Sequence, residues 1–212
     1  MNVVIVGGHG KIALQLEKLL AERGHSPRGI IRSTDQASDL EAIGAEPIVL
    51  DIENMEIDDA VAGAEVVVFA AGAGPGSGPA RKQTVDFDGA VKLIKAAGSH
   101  GISRYLMVSA MGANRPDRWS DAMRPYYEAK AAADKQLMDS GLDYTIVRPG
   151  SLTDEPATGQ VQVAEKLETR GSVTREDVAA VLAECMGADN TIGKAFDLLN
   201  DGTPVAEAVR SL

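Results

Sequence analysis

Short runs of uninterrupted apolar residues alternate along the chain with longer stretches in which apolar positions recur every three or four residues. The runs are 3–6, 29–31, 48–50, 66–70, 105–108, 144–147 and 196–199. Each has the length of a β-strand, and the lack of polar alternation marks strands covered on both faces. Between the first two, residues 11–23 put Ile12, Leu16, Leu19 and Leu20 on one helical face, with Gly24 where a helix stops. Residues 84–100 repeat this with Val91, Ile94 and Ala97 before Gly101, and residues 124–140 end at Gly141. Residues 174–186 open on an N-cap at Thr174 with an acid at Asp177, and close at Gly187.

Strand and helix alternating in this way predict an α/β fold, a doubly wound parallel sheet with helices on both faces. No internal repeat or linker interrupts it, so 1–212 reads as a single Rossmann domain. Three loops, 72–82, 110–125 and 151–170, are expected to build the substrate region. The last is too short for a second domain and long enough for a small lid.

Composition narrows the function classes. The 212 residues are 44% hydrophobic and 25% charged, as in ordinary globular proteins, and the formal charge is −10. Nucleic acid is not an expected partner, because phosphate binding needs a basic face. The one local concentration of arginine, at 115–118, is too small and too mixed to supply it. The single cysteine, Cys185, excludes an intrachain disulfide and reads as core packing. The N-terminal apolar run has no basic lead-in and reads as a strand, not a signal peptide. No apolar stretch approaches the ~20 residues of a membrane helix, so a cytoplasmic protein without membrane contact is expected. His9, His25 and His100 lack metal-ligand spacing, and no metal is expected.

The first strand runs straight into Gly7-Gly8-His9-Gly10-Lys11-Ile12-Ala13, which opens the first helix. Gly7 suits a tight turn, Gly10 a close approach of backbone to pyrophosphate, and Ala13 close helix–strand packing. The helix N-terminus adds oriented N–H groups and partial positive charge. Dinucleotide binding is the expectation, and His9 is placed to face a phosphate. The second strand ends in Arg32-Ser33 with no acid for a ribose 2′-hydroxyl. A guanidinium suits a 2′-phosphate, so NADP(H) is preferred and NAD(H) is possible. Asp51-Ile52 closes the third strand beside the adenine, and the small residues Ala70-Ala71-Gly72 close the fourth where the chain passes the cofactor.

These residues, with Val108-Ser109, Tyr126-x-x-x-Lys130 and Arg148-Pro149-Gly150, resemble the atypical or extended short-chain dehydrogenase/reductase superfamily, in particular its small NAD(P)H-binding members. The resemblance covers nearly the whole chain. It implies that Val108, Pro149 and Gly150 lie by the cofactor's reactive end and that Lys130 hydrogen-bonds the nicotinamide ribose.

Tyr126 and Lys130 are four apart and share one helix face. A phenol with a pKa near 10 is a poor acid or base at neutrality, and a nearby ammonium is expected to pull it down. The expected roles are Tyr126 as proton donor or acceptor, Lys130 as its electrostatic tuner, and the cofactor as hydride carrier. Tyr127 competes for the inward position. The superfamily's third group is a Ser or Thr, yet the position two beyond Ser109 is Met111. Ser109 either works from a shifted place or satisfies backbone groups at the strand end. Trp119, Met111 and Met123 either line a substrate pocket or pack as a lid.

The function expected is an NADP(H)-dependent oxidoreductase acting on a small carbonyl or alcohol, as a monomer or homodimer. The alternatives are an epimerase or dehydratase with retained cofactor, for which little more than sixty residues after Pro149 leave small room, and a non-enzymatic NADP(H) sensor.

Overall fold

The computed structural model describes residues 1–74 and 76–212, so Pro75, inside the expected 72–82 loop, lies outside the described residues. In chain order the elements are β1 (Asn2–Val6), α1 (Lys11–Glu22), β2 (Ser26–Ile31), α2 (Ala37–Glu41), β3 (Glu46–Val49) and β4 (Val66–Phe69). Then come α3 (Pro79–Arg81), a π-helical segment (Lys82–Asp88), α4 (Gly89–Ser99), β5 (Arg104–Val108), α5 (Arg124–Met138) and β6 (Asp143–Pro149). The last part holds β7 (Ser151–Thr153), β8 (Gln160–Ala164), β9 (Ser172–Thr174), α6 (Arg175–Cys185), β10 (Lys194–Asn200), β11 (Thr203–Pro204) and α7 (Val205–Arg210).

The main sheet runs β11-β8-β10-β6-β5-β4-β1-β2-β3, and its seven central and far strands are the seven apolar runs, all parallel. Beside β1 the chain reverses its direction of winding, toward β2 and β3 on one side and β4, β5 and β6 on the other. That switch point opens a crevice at the strand carboxyl ends, where ligands of such sheets bind.

Strand β1 explains its own lack of alternation. Val3 and Ile5 enter the core under α1, α6 and α7, while Val4 and Val6 enter the core under α4 and α5. Each such side chain, fully withdrawn from water, stabilises the fold by about 1.5–3 kcal/mol before entropy is counted.

Three expectations need correction. Residues 151–170 are not a plain loop. Val161 and Val163 turn inward between Gln160 and Gln162, so β8 pairs antiparallel with β10, while β7 and β9 pair into a separate two-stranded sheet. The helix expected over 84–100 begins earlier and passes through the π-helical segment, which rotates its buried face. Ala90, Leu93 and Ala97 lie deepest, and Asp86 is drawn inside with 1% exposure. Asp51-Ile52 does not close the third strand, because β3 stops at Val49.

On α1, Glu17 is fully buried where Leu19 is only half-buried, because it faces the bare backbone of Gly8 and Gly29. Neither carboxyl oxygen has a partner among the described residues, and burial pushes the pKa up to about 9. Below about pH 4.5 the group is protonated whether folded or unfolded. From there to about 9 only the unfolded chain ionises it, so stability falls as pH rises through that window. Glu17→Gln is therefore expected to flatten the decline of thermal stability over this range. Parallel profiles for the two proteins would show a normally titrating carboxyl.

Candidate active site

The crevice is lined first by the turn after β1. Gly7 adopts φ +87°, and a Cβ there would stand 2.7 Å from the Ala71 Cα. A Cβ on Gly8 would stand 2.7 Å from the Gly29 Cα, so these two glycines let β1, β2 and the end of β4 converge. The amide of Gly10 donates to the Gly7 carbonyl at 2.7 Å and leads into α1. No side chain caps that helix and its first turn holds no acid, so its leading N–H groups stay open to an anionic ligand. Ile12 and Ala13 point into the core and offer only backbone to a phosphate.

Neighbouring side chains are more occupied than the sequence suggests. The His9 ring bonds Asp39 at 2.7 Å and Gln36 at 3.3 Å, bracing α2 instead of facing a phosphate. Lys11 reaches Asp154 at 2.5 Å, and Arg175 meets the same carboxylate at 2.6 Å. Arg32 is exposed at the end of β2, while the Ser33 hydroxyl donates to Asp35. That bond holds Asp35 below the usual carboxylate range, with Arg32 a smaller influence. Asp51 is lowered chiefly by the Glu53 amide, which it accepts at 3.0 Å, and also binds Asn54. Its carboxylate thus caps a turn, and Ile52 packs on the core below α4.

At the other end of the crevice, Lys130 of α5 is buried with 4% exposure. Its Nζ donates to the Val108 carbonyl at 3.2 Å and pairs with Asp86 Oδ1 at 3.1 Å. Burial alone would lower the ammonium pKa, and Asp86, Tyr126 and Asp134 together more than offset this, holding it above its usual value. The Val108 carbonyl takes one N–H and Asp86 pairs with the charge, so donor capacity remains for a ribose hydroxyl.

Tyr126 is half-buried, its ring 5.7 Å from the Lys82 Nζ and within the fields of Lys130 and Asp86. Tyr127, its ring 5.4 Å from that of Tyr126, stacks on Trp119 at 5.8 Å, with Trp119 Nε1 donating to the Gly112 carbonyl at 2.8 Å. Tyr126 is thus the ring that shares the lysine's surroundings. Its pKa does not fall as expected. Burial pushes it above 10, Lys130 opposes the shift, and Asp86 reinforces it. The chief reason is burial of the phenol, and the Asp86 carboxylate offsets part of what Lys130 exerts.

A match to the model of a family described as NAD(P)H-binding spans residues 7–189. The chain belongs to that family. Among relatives, a Bacillus subtilis protein named an uncharacterized sugar epimerase, YhfK, is 43% identical over the full length of both chains. A solved structure from Bacillus halodurans, named an NAD-dependent epimerase/dehydratase, superposes with a TM-score of 0.96 at 42% identity over all of both chains. The oxidoreductase ylbE from Lactococcus lactis superposes at 0.89 with 30% identity, over 100% of this chain and 96% of that one. Oxidoreductase-like and epimerase-like members of the NAD(P)H-binding family thus share this sheet.

In this member of the family a cavity of about 430 Å³ opens beside the strand ends, lined by Ser109, Met111, Tyr126, Tyr127 and Pro149 among others. Such a volume admits a small ligand. Ser109 is buried, and its hydroxyl bonds no backbone group; it lies close to Asp134 without reaching hydrogen-bond geometry. Met111 lines the wall two residues on, held by its amide to the Pro149 carbonyl at 2.9 Å. Trp119 and Met123 line the wall as well. Gly150 has a structural need of its own, since a Cβ would come 2.6 Å from the Gly171 carbonyl.

Beneath the cavity runs a row of buried ion pairs that the sequence did not reveal. Asp86 holds Lys130, Asp134 accepts from Arg148 at 2.9 Å, and Asp197 accepts from Arg115 at 2.8 Å. Arg148 on β6 and Asp197 on β10 are register partners, which joins the second and third pairs. Burial raises the Asp134 and Asp197 pKa values despite their cationic partners. The signal available was the acid at 134 four residues after Lys130, on the same helix face. Among the described residues, no group of three or more His, Cys, Asp or Glu is placed to hold a metal, and no helix is long and apolar enough to cross a membrane.

Proposed function

We propose that this protein is a cytoplasmic NADP(H)-dependent oxidoreductase of the short-chain dehydrogenase/reductase type, a monomer or homodimer that reduces a small carbonyl compound. The observation that carries this reading is Tyr126, a phenol on the cavity wall with buried Lys130 one helical turn behind it. A dinucleotide held at the glycine turn would supply the hydride for the carbonyl carbon. Tyr126 delivers its proton to the carbonyl oxygen, giving the alcohol, and recovers a proton from solvent. Tyr126 enters the reaction protonated, as a proton donor must, while burial makes it a weaker acid than a free phenol. Lys130, fixed by Asp86 and the Val108 carbonyl, orients the ribose with its remaining donor, and Ser109 supplies a second contact to the substrate oxygen. The backbone of Gly7–Gly10 and the start of α1 would hold the pyrophosphate, and Ala70, Ala71 and Gly72 follow the fourth strand beside that turn.

The test is NADPH oxidation with a panel of quinones, aldehydes and ketones, one alcohol formed per NADPH consumed. A second reading follows the names of the two Bacillus relatives: an epimerase would isomerise its substrate with no net NADPH loss. Isomerised sugar without cofactor turnover would replace the first reading with the second.

Arg32 supports the choice of NADP(H). It stands exposed and makes no ion pair among the described residues, with Asp35 and Asp51 as its nearest influences. Arg32→Ala is expected to weaken NADPH binding by about 1.5–3 kcal/mol, the worth of a hydrogen bond to a charged group, with little change for NADH. Equal loss for both cofactors in equilibrium titrations would show that Arg32 does not read the 2′-phosphate.

A further inference from the structure

The charge of the cavity wall runs against the charge of the chain. The protein carries 31 acidic and 21 basic residues, yet the cavity is lined by three arginines, Arg115, Arg118 and Arg170, and by no Asp or Glu. Arg115 is consumed by Asp197 and the Leu167 carbonyl below the floor. Arg118 reaches only Glu168, at 3.4 Å and with both groups exposed, a contact worth little in water. Arg170 makes no ion pair among the described residues. Two guanidinium groups therefore face the cavity with little to neutralise them, in a wall whose acids are absent.

The rest of the wall mixes hydroxyls, among them Ser109, Ser120, Ser151 and Thr169, with aromatic and thioether side chains. Trp119 and Tyr127 stack with their planes only 14° apart, which leaves an outer ring face of the pair for a further ring to stack on. The lining adds Met111, Met123 and Leu152, the last two 43% and 37% exposed although large and hydrophobic. Thioethers adapt to the edge of a ring. A planar conjugated body gains from such a wall, and a guanidinium binds carboxylate or phosphate in its fork.

We infer that the cavity takes a planar, conjugated carbonyl compound that carries a carboxylate or phosphate, with the ring on the Trp119–Tyr127 wall and the anion at Arg118 and Arg170. This rests on the cavity being the substrate site of the proposed reduction. The anion takes no part in the chemistry; it turns the carbonyl end toward Tyr126.

Trp119 is the single tryptophan of the chain, so its fluorescence reports this wall directly. The probes are 9-fluorenone-2-carboxylate and its neutral carboxamide, planar ketones of nearly equal size. In the NADP⁺-loaded protein, the carboxylate is expected to bind at least tenfold more tightly, with an advantage that shrinks as salt is raised. The Arg118→Gln, Arg170→Gln double variant should bring the two ligands to the same affinity. Equal binding by the native protein, or an advantage that survives in the double variant, overturns the inference. NADPH oxidation with each ketone is measured alongside. Preference for the carboxylate without turnover of either ketone keeps the inference and defeats the reduction reading. Equal turnover and equal binding of both does the reverse.

Discussion

Tyr126→Phe is expected to lower the rate of carbonyl reduction by about 10²- to 10⁴-fold, the usual contribution of a positioned general acid. The substitution removes one oxygen and leaves the ring between Lys82 and Lys130, so the packing that places the helix should persist. NADPH affinity is expected to hold, because the glycine turn and the start of α1 lie on another part of the crevice. Tyr127→Phe serves as the comparison, since that ring stacks on Trp119 and lies outside the charged cluster. The pH profile adds a second readout. With the phenol pKa above its ordinary value, reduction should stay flat from neutrality into the alkaline range and decline only as the phenol ionises. Alcohol oxidation, which needs the phenolate, should rise over the same interval. Turnover unchanged in Tyr126→Phe would sink the assigned mechanism and leave cofactor binding intact.

The second large effect is on stability. Asp197→Ala is expected to cost about 3–5 kcal/mol, because it strips a buried guanidinium of its partner. Asp197 is fully buried and its Oδ2 accepts from both Arg115 and the Leu167 amide, at 2.8 and 3.0 Å. Removal would leave Arg115 and Arg148 as neighbouring buried cations with one carboxylate, Asp134, between them. For a chain of this size the loss corresponds to a fall in melting temperature of roughly 10 °C or more. The Asp197→Leu, Arg115→Met double variant should recover much of it, since a buried pair replaced by apolar groups is often neutral or better. A single-variant loss under about 1 kcal/mol would mean that water reaches the pair and solvates the orphaned charge.

Much of the cofactor end was legible in the sequence because its determinants are local. A glycine turn between a buried strand and a helix start is a backbone requirement, and Gly7, Gly8 and Gly10 meet it within four consecutive residues. The seven apolar runs became seven parallel strands because burial on both faces needs only continuous hydrophobicity. The lid did not follow, since the alternation of Val161 and Val163 is too brief to separate a strand from a loop. Nor did the inward turn of Asp86, which depends on a π-helical segment that breaks the 3.6-residue period.

What the sequence by itself determined, then, is the parallel sheet, its glycine turn, and the helix face shared by Tyr126 and Lys130. Period and turn chemistry act over a few residues and need no distant partner. The tertiary structure alone decided that Asp86 pairs with Lys130, that burial raises the Tyr126 pKa, and that Arg148, Asp197 and Arg115 share one row. Charges interact through space and burial depends on every packed neighbour, so residues far apart in sequence set the strength of each acid and base.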